Sequence, residues 1–348
     1  MDIAQCCLDG NADVVEFCPH DGFQNILAAC TYTLQEGDQP SRLGSISLFD
    51  VNAVTSALDR VCFVETSGIF DIKWSPVRGT VSPSIAQADA AGCLRIHGLE
   101  RSSDELGSTG VVLKQTTDIQ LSSSMCLCVD WNPLGTSLAV GLSDGSVSVS
   151  SLTESQLSEE QQWKAHDFEV WAASFDPHQP SVVYSGSDDC KFRGWDLREG
   201  LTVPAFQNSK AHNMGICCIV KNPIDPYALL TGSYDEHLRV WDVRSISKPV
   251  TETSVCLGGG VWRIKYHPSI KDLVLTACMH NGFAIVKLSD GNPEVIETYN
   301  EHGSLAYGAD WQRSQLGQEG ETTNSLVATC SFYDRMVRVW IPKADLLS

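Results

Sequence analysis

The sequence predicts an all-β fold: a seven-bladed β-propeller of four-stranded blades, with the chain's own N-terminal strand closing the last blade. Three observations predict it. A short strand followed by an aromatic, any residue and Pro recurs along the chain; its copies are spaced by about one blade length; and the final unit runs out one strand short.

The tetrad occurs at Val15–Pro19 (VEFCP), Ile72–Pro76 (IKWSP), Val129–Pro133 (VDWNP), Ala173–Pro177 (ASFDP) and Ile264–Pro268 (IKYHP). Two copies are degenerate: Lys221 replaces the aromatic before Pro223, and Trp311 lacks the proline. From Phe17 through Trp74, Trp131, Phe175, Lys221 and Tyr266 to Trp311 the intervals are 57, 57, 44, 46, 45 and 45 residues, against roughly 40–45 for a propeller blade. Seven blades follow, beginning near residues 13, 70, 126, 170, 215, 261 and 306, in one domain spanning 1–348. The two long intervals call for extra loop, expected at 35–42 and 100–110, where polar and turn-forming residues gather.

Within a unit, Ala228–Gly232 reads as a second strand and Leu238–Asp242 as a third. Two units carry His, Ser or Thr, Asp and Trp at matched spacing: His166, Ser185, Asp189, Trp195, and His212, Thr231, Asp235, Trp241. These four side chains form the buried hydrogen-bonded relay of a WD repeat. His302, Asp334 and Trp340 repeat the pattern with Cys330 at the hydroxyl position, which predicts a weaker relay. Residues 3–8 have strand character and are expected to complete blade seven, removing an open sheet edge.

Charge narrows the partners. With 43 Asp+Glu against 24 Lys+Arg, the net charge of −19 repels phosphate backbones and anionic lipid heads, so neither nucleic acid nor membrane is expected. A basic protein or a cationic small group suits this surface better. No apolar run approaches the roughly 18 residues of a membrane span, and Met1–Gln5 lacks the basic opening of a secretion signal, so a soluble, cytoplasmic protein is expected. The 14 cysteines fall mostly in strand-like runs and form no C-x-x-C pair. Reduced thiols are expected, with neither a disulfide framework nor a metal, and no cofactor.

Propellers bind ligands at the mouth of the central channel, which the first strand of each blade lines. Four residues before the tetrad aromatic the blades carry Asp13, Phe70, Leu127, Trp171, Cys217, Trp262 and Tyr307. The turn residue just before the Asp position is Asp188, Tyr234, His280 and Tyr333 in blades four to seven. Packing between blades is an equal reading for any single aromatic. As a set, Phe70, Trp171, Trp262, Tyr307, Tyr234 and Tyr333, with Asp188 beside them, suit a quaternary ammonium ion held by cation–π attraction.

Gly141–Gly145 (GLSDG) matches a nucleophile-elbow pattern, but it lies in a strand-to-strand turn and reads as chance. His280 is a candidate general base, the alternative being a solvated turn histidine. Gly258–Gly260 and Arg263 could hold an oxyanion, or the glycines could simply form a flexible loop. His166 and His212 belong to their relays.

Several strings go beyond a generic blade: Gly259–Lys265 (GGVWRIK), Ala277–His280 (ACMH), Tyr307–Trp311 (YGADW), Ala328–Asp334 (ATCSFYD), Gly232–His237 (GSYDEH) and Ala165–Glu169 (AHDFE). Together they resemble the diphthine methyl ester hydrolase family of the diphthamide pathway, most densely from about residue 163 onward. The resemblance implies hydrolysis of the methyl ester of methylated diphthine on translation elongation factor two, giving diphthine for the final amidation. That substrate carries a trimethylammonium group. The resemblance brings no catalytic residues with it. The residues themselves suggest water attack with His280 as base, Arg263 on the oxyanion, and Trp171, Trp262 and Tyr307 around the cation. The alternative is a non-catalytic adaptor: Trp195–Arg198 and Trp241–Arg244 are W-D-x-R motifs, which resemble those that dock WD-repeat substrate receptors onto the adaptor of a cullin-type ubiquitin ligase.

Overall fold

Each blade begins with an inner strand that ends on the tetrad aromatic or, in blade five, on Lys221. These strands are Ala12–Phe17, Ile69–Trp74, Cys126–Trp131, Val170–Phe175, Ile216–Lys221, Arg263–Tyr266 and Ala306–Trp311. In this computed structural model, which describes residues 1–348 except 38–39, 78–81, 104–108, 246, 290–291, 314–324 and 344–348, they form a closed ring in which each contacts the next. Three further antiparallel strands accompany each, or four in blade one, giving seven sheets and the all-β, seven-bladed propeller expected. No helix among the described residues is long and apolar enough to cross a membrane.

Blade seven takes its outer strand from the other end of the chain. Asp2–Cys7 pairs antiparallel with Met336–Trp340, and the Ile341 N–H donates to the Met1 carbonyl at 2.9 Å. The exposed edge that three strands would leave is thereby covered.

The core lies between blades. Seven hydrophobic clusters each join the facing surfaces of two neighbouring blades. The tetrad aromatic explains why the repeat carries the register: the indole N–H groups of Trp74, Trp131 and Trp311 donate to the backbone carbonyls of Glu16, Lys73 and Lys265 in the preceding blade, at 3.2, 3.0 and 3.1 Å. Carboxylates reinforce the same seams, Glu16 accepting from the Trp74 N–H, Asp71 from Val129, Asp130 from Phe175 and Asp310 from Phe17.

Long outer strands flank both places where the sequence suggested extra loops. In blade one a short strand, Thr33–Gln35, pairs with the long Ser41–Asn52, which also pairs with Ala57–Ser67. In blade two Cys93–Ser103 and Thr109–Gln120 extend as one ladder. The centres of both expected loops, 38–39 and 104–108, lie outside the described residues.

The relay of blade four forms as expected, while in blade five the hydroxyl, His and Trp join and Asp235 stands 3.6 Å from His212 Nδ1. Ser185 Oγ joins His166 Nε2 at 2.7 Å and Trp195 Nε1 at 2.8 Å, and His166 Nδ1 meets Asp189 at 3.0 Å. Thr231 joins His212 and Trp241 in the same way. Blade seven differs by one residue. Thr329, not Cys330, accepts from Trp340 and meets His302, because the hairpin places Asp334 five positions after the hydroxyl residue rather than four.

Candidate functional site

The mouth is built by a repeated backbone irregularity. The innermost strand pair shifts register at Asp13, Phe70, Leu127, Trp171, Cys217 and Tyr307, one β-bulge per blade. In blade six the strand starts one residue after Trp262, whose N–H still reaches the Ala277 carbonyl at 2.9 Å. A bulged residue has no cross-strand partner and its side chain is re-aimed. Here the bulges turn one side chain per blade toward the axis.

Four of those side chains are the expected aromatics, and they belong to a closed circuit of six rings. Phe70 faces Trp171 (6.4 Å between centroids), Trp171 meets Trp262 (5.4 Å), Trp262 stacks on Tyr307 (4.8 Å, 24°), Tyr307 meets Phe332 (5.1 Å), Phe332 faces Tyr32 (6.3 Å) and Tyr32 returns to Phe70 (4.6 Å). Tyr234 packs on Trp262 from outside the circuit at 6.0 Å. Asp188 is exposed beside Trp171, whose indole favours its charged form against the burial that pushes its carboxyl upward.

Tyr32 and Phe332 escaped the sequence reading. Each follows the second strand of its blade and donates its N–H to the residue preceding the first strand, Tyr32 to Asn11 and Phe332 to Leu305, as Asp188 does to Glu169 and Tyr234 to Gly215. Phe332 therefore holds the position expected of Tyr333, displaced by the same extra hairpin residue that moves the relay hydroxyl. Tyr333 is 69% exposed and meets Phe332 edge-on at 5.0 Å.

Charge lies beneath the rings. Asp13, 3% exposed, has no hydrogen-bond partner on Oδ1; burial first, then Asp71, raise its carboxyl to about 8 against the opposing pull of Arg263. Deeper still, Arg263 Nη1 pairs with Asp71 at 2.8 Å while its Nε is buried without an acceptor. Below that layer Glu16 bridges Lys73 and Lys265, which hold it ionised despite its burial. Asp71, Lys73, Arg263 and Lys265 line a cavity of about 240 Å³ that also touches Trp171 and Pro223.

The proposed base and oxyanion donor are not brought together. Arg263 lines the channel, already paired with Asp71. His280 is exposed in the turn after Leu273–Ala277 and lines a different cavity, of about 600 Å³, with Asn300, His302, Ser304 and Tyr333. Gly259 and Gly260 have a packing reason to be glycine: a Cβ would stand 2.1 Å from the Cys278 carbonyl and 2.7 Å from Met279 Sδ. Ser143 accepts from the Met125 N–H at 3.0 Å in a strand-to-strand turn. Cys217, beside the mouth, is buried with its thiol pushed well up, which opposes a nucleophilic role. Among the described residues no three His, Cys, Asp or Glu side chains converge as a metal-binding set.

Comparison with known proteins agrees with this architecture and narrows it. The WD domain, G-beta repeat family matches residues 114–149, 157–196 and 206–242. A chain in the crystal structure of a mitotic checkpoint complex shares the fold at a TM-score of 0.71, with 14% identity over 98% of this chain and 94% of that one. Closer in sequence are a diphthine methyltransferase homolog of Dictyostelium discoideum, 33% identical over 96% of this chain and 97% of that protein, and diphthine methyltransferases of Mus musculus (38%; 86% and 67%) and Homo sapiens (35%; 86% and 72%). With one third of its residues shared along nearly the full length of a relative, the chain belongs to the diphthine methyltransferase family.

Proposed function

We propose that this protein acts in diphthamide biosynthesis by hydrolysing the methyl ester of methylated diphthine on translation elongation factor two, releasing methanol and leaving the carboxylate for amidation. Family membership supports the pathway. The observation that carries the reaction site is the closed aromatic circuit over a buried acid, because the group to be bound is a trimethylammonium ion: six π-faces attract the cation without a lone-pair donor, and the exposed Asp188 beside Trp171 adds to the field. In the substrate the ester carbonyl is bonded to the carbon that bears the ammonium nitrogen. Seating the cation at the mouth therefore places the ester there too.

The relatives carry the name methyltransferase, and transfer and hydrolysis concern the same methyl ester. Mass spectrometry separates them. Purified protein incubated with factor carrying methylated diphthine is expected to remove one methylene mass from the factor and release methanol. An unchanged mass, or a gain of methyl from an added methyl donor, refutes hydrolysis.

A second reading rests on the two W-D-x-R motifs. Arg198 and Arg244 each pair with the Asp two residues earlier while remaining 71% and 69% exposed, a geometry that supports docking to a ligase adaptor. Recovery of that adaptor with protein inert toward the ester would favour it.

A further inference from the structure

Resting on the hydrolytic reading, we infer that Asp13 is the general base of the ester cleavage and that the Trp262 indole N–H stabilises the oxyanion. Both stand at the mouth position of their blades, four residues before the tetrad aromatic, and both are unspent. Asp13 Oδ1 and Trp262 Nε1 are buried and have no hydrogen-bond partner. The bulge at Asp13 occupies in blade one the position that Phe70, Trp171 and Tyr307 occupy in theirs, so its carboxyl is directed under the ring circuit rather than into a blade seam. Buried acids at structural seams in this protein are satisfied, as Glu16 is by Lys73 and Lys265. Asp13 is not.

The Asp13 carboxylate takes a proton from water as the water oxygen bonds to the ester carbon. The carbonyl oxygen becomes an oxyanion, accepts from Trp262 Nε1 and lies in the positive field of Arg263. Collapse breaks the bond to the methoxy oxygen, which receives the proton from Asp13 and leaves as methanol. The product acid ionises into solvent.

The free enzyme holds Asp13 mostly protonated at neutral pH. The groups facing it are Arg263, which favours its charge, and Asp71, Tyr234, Tyr307, Cys30 and Cys330. An arriving trimethylammonium ion adds a positive charge to this set and lowers the carboxyl, so the substrate itself ionises the base. A base must be deprotonated, so kcat/KM rises with pH to a plateau above about 8, and the limb in kcat lies lower.

The test compares wild type with Asp13→Asn and Trp262→Phe, assaying methanol release from methylated factor across pH 6–9. Indole fluorescence reports binding of betaine methyl ester, a small probe carrying the same ammonium and ester. Asp13→Asn is expected to lose at least about 100-fold in kcat, and with it the acidic limb, while still binding the probe. Trp262→Phe keeps a ring and is expected to lose about 100-fold in kcat with a far smaller change in probe binding. Since a buried carboxyl raised from its ordinary value weakens the fold as it ionises, Asp13→Asn should melt no lower than wild type above pH 8, so loss of activity cannot be loss of fold. Wild-type turnover in Asp13→Asn, or an acidic limb that survives there and vanishes in His280→Ala, overturns the assignment of the base. Failure of the wild type itself to release methanol instead refutes the hydrolytic reading.

Discussion

Trp262 touches Trp171, Tyr234 and Tyr307, and no aromatic residue in the mouth that comes from a bulge position touches more. Phe70, by contrast, lies between Tyr32 and Trp171 at the far side of the circuit. A cation–π contact is worth about 0.5–2 kcal/mol, the upper end where water is excluded, so single replacements should weaken cation binding by roughly 3- to 30-fold. Titrating betaine methyl ester by calorimetry, we expect Trp262→Leu near the top of that range and Phe70→Leu near the bottom. Equal and negligible losses would mean that the circuit is packing alone. The aromatics were legible because the bulge holds a constant offset of four from the tetrad aromatic. Asp13 was legible by the same offset, yet its lack of a partner was not, since that depends on what the other six blades place opposite it.

At the scale of single elements, one residue added to one hairpin accounts for two misreadings. In blade seven the extra position moves the relay hydroxyl from Cys330 to Thr329 and the mouth aromatic from Tyr333 to Phe332. Spacing alone gave no sign of it, because Asp334 and Trp340 keep the six-residue separation found in the intact relays. Thr329→Val leaves the buried N–H of Trp340 and a ring nitrogen of His302 without a partner, at a cost of roughly 1–3 kcal/mol. Thermal melting should show that loss, while Cys330→Val, which removes no relay contact, should stay close to wild type. The extra length of blades one and two was legible as insertions near 35–42 and 100–110, but the long outer strands beside them were not, because polar residues on an exposed outer ladder look like turn composition.

Across the whole molecule, burial of histidine sets the response to acid. Burial lowers His97, His267 and His302 to about 4, Arg95 adding to the shift of His97, and it also lowers His20, His166 and His212. A group depressed on folding contributes stability above its unfolded value, near 6.5 for histidine, and loses it as pH falls toward the folded one. Asp13, Asp130, Asp188 and Asp310 are raised and act in the opposite sense. Six histidines outnumber these four carboxyls, so the melting temperature should fall between pH 7 and pH 5. A flat profile in scanning calorimetry would show that the raised acids compensate fully.

The strand Asp2–Cys7 that completes blade seven brings the first and last strands of the chain side by side. A ring sealed in this way has no obligatory starting point: a circular permutant reopened between two other blades would rebuild the same mouth. A half-ring could not, because Asp13, Trp171 and Trp262 come from blades one, four and six, and the site exists only when the circle does.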